Sequence, residues 1–289
     1  MTMTTEPATP VVKWVGGKTR LLPELVRRMP ATYDRYFEPF AGGAALFFHV
    51  APERAVLADQ NLDLITLYQA LADDPDRVIR RLREHRQKHG KRYYYRVRDR
   101  WNDREHAWTP AARAAAFVYL NKTCFNGLWR VNRSGEFNVP MGRYKEPAIC
   151  RSRDLCAAGI ALSRARLLSC DYSLAVVDAG RGDFVYFDPP YDPVSATSSF
   201  TGYSAGGFTR DDQRSLAALA HTLVERGCHV MLSNSNTRFV RSLYKGFRIE
   251  RVLCSRALNS DATKRGAIAE LVITGGPRAP DKRGQNSAS

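Results

Sequence analysis

The order of patterns along this 289-residue chain predicts an α/β fold, an open sheet in two halves divided by a basic, mainly helical insertion. Three observations predict it. Residues 36–59 read as strand, glycine turn, helix, strand and terminal acid, the layout of a nucleotide-type half-sheet. The apolar run Phe184-Val185-Tyr186-Phe187 then resumes the sheet and ends directly in Asp188-Pro189-Pro190-Tyr191. Between the halves, residues 76–105 hold twelve Lys or Arg against five acids, a concentration that a uniformly basic surface would not produce. An inserted segment of roughly eighty residues with clustered charge is usually functional.

Taken in order, residues 1–10 are polar and predicted to be a flexible tail. Residues 36–40 form a short strand, and Ala41-Gly42-Gly43-Ala44-Ala45 turns into a helix carrying Leu46, Phe47 and Phe48. Residues 54–59 are a second strand ending in Asp59. Residues 63–105 read as irregular basic helices, with Tyr93, Tyr94, Tyr95 and Trp101 interleaved with the charge. Some of that charge is the solvated face of a helix. Residues 111–121 are an Ala-rich buried helix. Residues 122–147 are punctuated by Asn126-Gly127, Ser134-Gly135 and Met141-Gly142, which predicts a β-hairpin or long loop with residues 136–139 as one strand. The sheet resumes at 166–170 and 184–187. Thr209-Arg210-Asp211-Asp212 is a capping-box-like start for a helix ended by Gly227, with Leu216, Leu219, Ala220, Leu223 and Val224 at helical spacing. Residues 229–233 are a strand, and 247–254 with 268–274 form a closing antiparallel pair. Residues 276–289 are polar and predicted to be disordered.

Net charge is +15, an excess that favours a polyanionic partner. Hydrophobic residues make up 44%, enough for a large core. No apolar run approaches the ~18 residues of a membrane span, and the N-terminus lacks the pattern of a signal peptide, so a cytoplasmic protein is expected. The six cysteines form no C-x-x-C pair and no zinc-type cluster with His, so free, mostly buried thiols and no metal are expected.

The chemistry concentrates after strands. Asp188, Pro189, Pro190 and Tyr191 offer a carboxylate, a stiff acceptor-rich backbone and an aromatic face where open α/β sheets bind ligands. At roughly 5% usage per residue type, such a quartet arises by chance in well under one chain in a hundred of this length. The set suits a planar group bearing an NH2; the plain alternative is a Pro-rich loop with Tyr191 as packing. The Gly42-Gly43 turn lets a ligand approach backbone at a helix start. Asp59 stands where an acid commonly binds ribose hydroxyls, or else serves as the N-cap of a helix at 62–71. The turn does not match G-x-G-x-x-G. Gly16-Gly17-Lys18-Thr19 suggests a phosphate loop, but position 12 is Val where that motif needs Gly, so an ATPase is rejected.

Together these residues resemble the Dam-type DNA adenine-N6 methyltransferases of the α group. The matching motifs are Lys13-Trp14-Val15-Gly16-Gly17-Lys18, Glu38-Pro39-Phe40-Ala41-Gly42-Gly43, Leu57-Ala58-Asp59-Gln60-Asn61 and Asn126-Gly127-Leu128-Trp129-Arg130. They continue with Gly135-Glu136-Phe137-Asn138-Val139-Pro140, Gly142-Arg143-Tyr144-Lys145, Asp171-Tyr172 and Asp188-Pro189-Pro190-Tyr191. Phe200-Thr201-Gly202-Tyr203, Gly207-Phe208-Thr209 and Leu232-Ser233-Asn234 complete the series, which runs over residues 11–274. Several are weak alone; in this order they are specific.

The resemblance implies a Rossmann-like methyltransferase sheet with helices on both faces and an inserted target-recognition domain. Residues 11–62 and 148–275 would be catalytic and 63–147 would read DNA, with tails at 1–10 and 276–289. It implies S-adenosylmethionine as cofactor and S-adenosylhomocysteine as product. Trp14 and Lys18 would flank the methionine end, and Glu38, Pro39, Phe40 and Gly42 would line the site. Asp59 would hold the ribose, Asp171 and Tyr172 would frame the cofactor adenine, and Asp188 would border both sites. Asp188 and the Pro189 carbonyl would accept from the amino group of a flipped adenine, orienting N6 for direct methyl transfer without metal, while Tyr191 stacks on the base. Lys13, Asn126, Leu128, Arg130, Pro140, Arg143 and Tyr144 match target-reading positions, which implies duplex DNA as partner and GATC as sequence. A cognate restriction endonuclease is a further possible partner.

Other readings compete. A glutamine methyltransferase shares the fold, but its turn begins with Asn, and a basic aromatic insertion favours DNA. An N4-cytosine enzyme more often begins that turn with Ser. A DNA-binding protein without catalysis would not need Asp59, Asp188 and Tyr191 intact, and RNA remains a substrate that charge alone does not exclude.

Overall fold

The computed structural model describes residues 8–193, 207–255 and 267–277. The expected motif at 200–203 and most of both tails lie outside them.

Among the described residues, seven strands form one mixed sheet: β1 (Tyr36–Glu38), β2 (Ala55–Ala58), β3 (Ala165–Leu168), β4 (Phe184–Phe187), β5 (His229–Ser235), β6 (Arg248–Ser255) and β7 (Ala267–Gly275). Their order across the sheet is β3-β2-β1-β4-β5-β7-β6. β3, β2, β1, β4 and β5 run parallel, and β7 lies antiparallel between β5 and β6. β1, β2 and β4 are buried along their whole length, which is why β2 and β4 are continuous apolar runs rather than alternating ones, while β1 ends in the buried Glu38. Each strand still divides its side chains between two cores. Tyr36, Leu57, Phe184 and Tyr186 face one, and Phe37, Val56, Val185 and Phe187 face the other.

Helices cover both faces. The second core takes Leu216, Ala220 and Leu223 of α9 (Arg210–Glu225) and Val240 of α10 (Arg238–Leu243). Thr209 closes the expected capping box, with Asp212 returning the bond to the Thr209 backbone. The first core takes α2 (Ala45–Val50), α3 (Leu62–Asp73) and α7 (Ser152–Leu162), then continues into α4 (Pro75–Gln87), α5 (Lys91–Asn102) and α6 (Pro110–Thr123). α6 buries ten of its fourteen residues, so it is the axis of the helical region rather than a surface helix. Arg113 on α6 pairs with Asp63 of α3 at 2.6 Å and lies 4.2 Å from the Trp101 ring centroid, tying three helices together.

Four helices lack a strong sequence signal: α1 (Leu22–Val26), α7, α8 (Tyr172–Ala175) and α10. α1, α8 and α10 are at most six residues long, and the N-cap of α7, Arg151, makes no side-chain capping bond. The aromatic residues of the basic segment turn inward: Tyr94 and Trp101 are buried, so they pack rather than stack on a partner. Arg77, Arg80, Arg81, Arg83 and Arg86 stay exposed.

The expected hairpin is minimal, and residues 136–139 do not form a strand. One antiparallel bridge joins Val131 and Phe137, flanked by Asn132 N donating to Glu136 O at 2.8 Å and Asn138 N to Arg130 O at 3.3 Å. The reason is that α5 satisfies this backbone instead. Asn102 accepts from Phe137 N and donates to Phe137 O, and the Tyr94 hydroxyl donates to Val139 O. Of the described thiols, Cys124 and Cys228 are buried, while Cys150, Cys156 and Cys170 are partly exposed, so burial is less general than expected. No described helix is long and apolar enough to cross a membrane.

Candidate active site and nucleic-acid interface

Strand order reverses between β1 and β4, and ligands of open α/β sheets bind outside the strand ends at such a switch. Both signature turns leave from there: residues 39–43 after β1 and 188–191 after β4. The same edge carries Asp59 after β2 and the last residues of β5.

Asp188 is the centre of the β4 turn. Its Oδ1 accepts from Lys18 Nζ at 2.7 Å and from Ser233 Oγ at 2.8 Å, whereas its Oδ2 has no bond among the described residues. Ser233 is itself 2.9 Å from the buried Tyr186 hydroxyl, which donates to it because the Ser233 proton is committed to Asp188. Lys18 also donates to Gly16 O at 2.7 Å, and its ammonium lies 4.8 Å from the Tyr191 ring centroid. The Tyr191 hydroxyl donates to Glu270 Oε2 at 2.8 Å. The prolines are held from behind: buried Gln213 donates to Pro190 O at 2.8 Å and accepts from Asn234 Nδ2 at 3.0 Å. Asn234 Oδ1 accepts from Asp192 N at 3.2 Å. A stiff turn whose second carboxylate oxygen is unbonded among the described residues can accept from an amino group without reorganising.

The β1 turn is fixed by its neighbours. Gly42 has φ of 46°, and a Cβ there would fall 2.7 Å from Trp14 Cδ1. Its N–H donates to Asp59 Oδ2 at 2.9 Å, and its carbonyl accepts from the Tyr68 hydroxyl at 2.5 Å. Asp59 Oδ1 accepts from Asn61 N at 2.8 Å. Asp59 is therefore not the cap of α3; Asn61 is, accepting from Leu64 N. Asp171 caps α8 and accepts from Gln60 Nε2 at 3.1 Å. Tyr172 stacks on Phe40 with centroids 5.1 Å apart, and Phe208 meets Phe40 edge-on at 5.8 Å. Asp59, Asp171 and Phe40 of this aromatic cluster follow the ends of β2, β3 and β1 on one edge of the sheet. Glu38, the last residue of β1, is 3% exposed and accepts from the Tyr36 hydroxyl at 2.8 Å. Burial pushes its carboxyl up to about 8, and the negative Asp188 adds to this, against the Tyr36 bond, the Phe47 N–H and Lys18.

The expected target-reading residues gather on two arms of residues 124–144. Phe125 N donates to Pro140 O at 2.8 Å, Gly142 N donates to Thr123 O at 2.8 Å, and Cys124 bridges Met141. Lys13 Nζ donates to the Tyr144 hydroxyl at 3.2 Å. Arg130 is exposed, with its Nε donating to Asn138 Oδ1 at 2.9 Å. Asn126, Pro140 and Arg143 are exposed, and Leu128 is half-buried. Trp129 points the other way, onto Phe117 at 4.0 Å and Phe137 at 4.5 Å, so it anchors the loop.

Sequence reasoning passed over Ser233, Asn234, Gln213 and Phe125. The first two sit inside a quoted motif without a role, and only their contacts supply one. Gln213 carries no local signal. Phe125 is 52% exposed beside Asn126, and an apolar aromatic on a basic loop was the available clue.

The family model for D12 class N6 adenine-specific DNA methyltransferases matches residues 14–257. The chain belongs to that family. A Type II methyltransferase of Lactococcus lactis, M1.LlaDCHI, is 41% identical over 268 residues, covering 92% of this chain and 94% of its own. M.MjaIII, a Type II methyltransferase of Methanocaldococcus jannaschii, is 39% identical, covering 91% and 98%. The DNA adenine methylase of Escherichia coli K12 is 35% identical, covering 90% and 93%. The D12 methyltransferase thus acts on adenine N6 in DNA, and its family membership requires a methyl donor.

Proposed function

We propose that this D12 methyltransferase moves a methyl group from S-adenosylmethionine to the N6 of an adenine flipped out of duplex DNA, within GATC. The observation that carries the reading is the Asp188 turn at the sheet's switch point, stiffened by Ser233 and Gln213, whose second carboxylate oxygen has no bond among the described residues.

The donor set fits the cofactor. Each Asp59 oxygen spends one lone pair on backbone and keeps another for ribose hydroxyls. Phe40 and Tyr172 offer a flat apolar platform for a base, beside Asp171. Trp14, Lys18, Glu38 and Pro39 border the end of β1, where the methionine part would lie. When bound, the cofactor supplies an activated methyl on a good leaving group.

The chain's residues supply the rest. Adenine N6 is a poor nucleophile because its lone pair is delocalised into the ring. Hydrogen bonds from the amino group to Asp188 Oδ2 and the Pro189 carbonyl favour a pyramidal nitrogen with its lone pair aimed at the methyl. Asp188 is placed to take the departing proton. Tyr191 stacks on the base, which must leave the duplex to reach this turn.

Lys13, Arg130 and Arg143 suit guanine O6 and N7, and Leu128 and Pro140 suit the thymine methyl. Asn126 and Tyr144 complete that set. Phe125 is suited to wedge beside the flipped base. The exposed arginines of α4 serve phosphate. A paired restriction endonuclease reading the same sequence is one context for this activity, in line with the Type II names of two relatives.

Methylating unmodified plasmid with S-adenosylmethionine and mapping every modified base by single-molecule sequencing tests the reading. N6-methyladenine confined to GATC is expected. Another adenine motif would overturn the sequence assignment, and modified cytosine would overturn the reading as a whole.

A further inference from the structure

Residues 13–18 connect the two functional regions. Lys13 reaches Tyr144 of the target-reading arms, and Lys18 reaches Asp188. One buried side chain fixes the start of this segment. Asn121 lies fully buried in the last turn of α6. Its Oδ1 accepts from Lys13 N at 2.8 Å, and its Nδ2 donates to Lys13 O at 2.8 Å and to Gly127 O at 3.2 Å. The first two bonds hold the Lys13 main chain as a neighbouring strand would, and the third holds the turn Phe125–Gly127.

The other side of Lys13 interlocks with the same turn. Gly127 has φ of 66°, and a Cβ there would fall 2.4 Å from Lys13 Cδ. From Lys13 the chain has little slack before Lys18. Trp14 packs on Gly42, and Gly17 N donates to Trp14 O at 3.1 Å. A buried amide whose bonds are all made to backbone cannot shift one partner without losing bonds to the other.

We propose that Asn121 is a positioning residue that couples target reading to methyl transfer. It sets Lys13 against the 125–127 turn and, through the short bonded segment, sets Lys18 on Asp188. It touches neither the base nor the reacting atoms. The proposal rests on the reading of Lys13 as a base contact.

The test uses the full chain carrying Asn121→Asp, Gly127→Ala or Lys13→Ala. The first replaces the Nδ2 donor with an oxygen facing two carbonyls, and the second drives a methyl into the Lys13 stem while leaving Asn121 untouched. kcat and KM are measured on a GATC duplex and on duplexes with one base of the site changed, per molecule titrated as competent to bind S-adenosylhomocysteine. Expected for Asn121→Asp and Gly127→Ala are a kcat on the cognate site, at saturating cofactor, lowered about tenfold or more, and a cognate-to-altered ratio lowered by a similar factor. A purely structural Asn121 would reduce the competent fraction and leave kcat per competent molecule and the ratio unchanged, which overturns the proposal. If Asn121→Asp does not fold, Gly127→Ala decides by the same criteria. A lowered ratio in Lys13→Ala with unchanged ratios in the other two overturns this proposal alone. An unchanged ratio in Lys13→Ala overturns the base-contact reading and this proposal with it.

Discussion

Replacing Ser233 with alanine separates holding the carboxylate proposed as catalytic from holding the fold. Asp188 Oδ1 has two donors, Lys18 at 2.7 Å and Ser233 at 2.8 Å. A hydrogen bond to a charged group contributes ~1.5–3 kcal/mol. At ~1.4 kcal/mol per factor of ten, its full loss at the methyl-transfer step lowers kcat about 10- to 100-fold. Stability is affected through a different atom. The buried Tyr186 hydroxyl donates to Ser233, and stranding it costs about 1–3 kcal/mol. Tyr186→Phe keeps the Ser233–Asp188 bond and should retain near-parent kcat. Ser233→Ala with Tyr186→Phe removes the stranded hydroxyl, so urea unfolding should recover stability while kcat stays low. Methyl incorporation into a duplex under saturating cofactor and DNA provides kcat. A kcat within twofold of the parent in Ser233→Ala, or a kcat restored by Tyr186→Phe, would refute the assignment of Ser233 to Asp188.

Other outcomes follow from the same geometry. With Glu38 pushed up to about 8, roughly nine free molecules in ten carry its proton at pH 7, and a cationic cofactor beside it should draw the value down and release that proton. Calorimetry in buffers of different ionisation enthalpy should show net release near one proton at pH 7, absent in Glu38→Gln; no release in the parent would contradict this. Because the folded value lies above the unfolded 4.5, the Glu38 contribution to stability is complete below about 4.5 and is lost as pH rises toward about 8, so Glu38→Gln should flatten that part of the urea-stability profile. Trp129→Ala should cost ~3–5 kcal/mol in urea unfolding, since Trp129 is 7% exposed among Phe117, Phe137 and Trp101. A loss under ~1 kcal/mol would mean the loop is anchored elsewhere. Arg130→Ala should relax discrimination at one base by ~1–3 kcal/mol, whereas Arg86→Ala should weaken binding uniformly and reduce its salt dependence. Identical behaviour of the two on a panel of altered duplexes would refute the division between reading and positioning.

The parts of the fold that sequence revealed are those where local chemistry decides. β2 and β4 were legible because strands buried on both faces are unbroken apolar runs, and α9 because Thr209 and Asp212 cap it. α7 was not, since its start carries no side-chain cap and its stability comes from packing on α3. The strand expected at 136–139 failed for a related reason: Asn102 and Tyr94, more than thirty residues away, take the bonds a partner strand would have made. In the candidate site, Asp188 and Tyr191 were legible because Pro189 and Pro190 mark the turn. Ser233, Gln213 and Asn121 were not, because each acts through hydrogen bonds to segments that are distant or irregular in sequence. Asp59 admitted two readings from sequence, and Asn61 decides the structural one by taking the cap.

The most direct measurement compares Asp188→Ala with the parent in two experiments on the same preparation: single-turnover methylation of a GATC duplex and calorimetric binding of S-adenosylhomocysteine. The carboxylate is assigned to the target amino group, so methyl transfer should fall to background while cofactor affinity stays within about tenfold, or ~1.4 kcal/mol. Methylation at a rate near the parent's, with the cofactor still bound, would contradict the account at its centre.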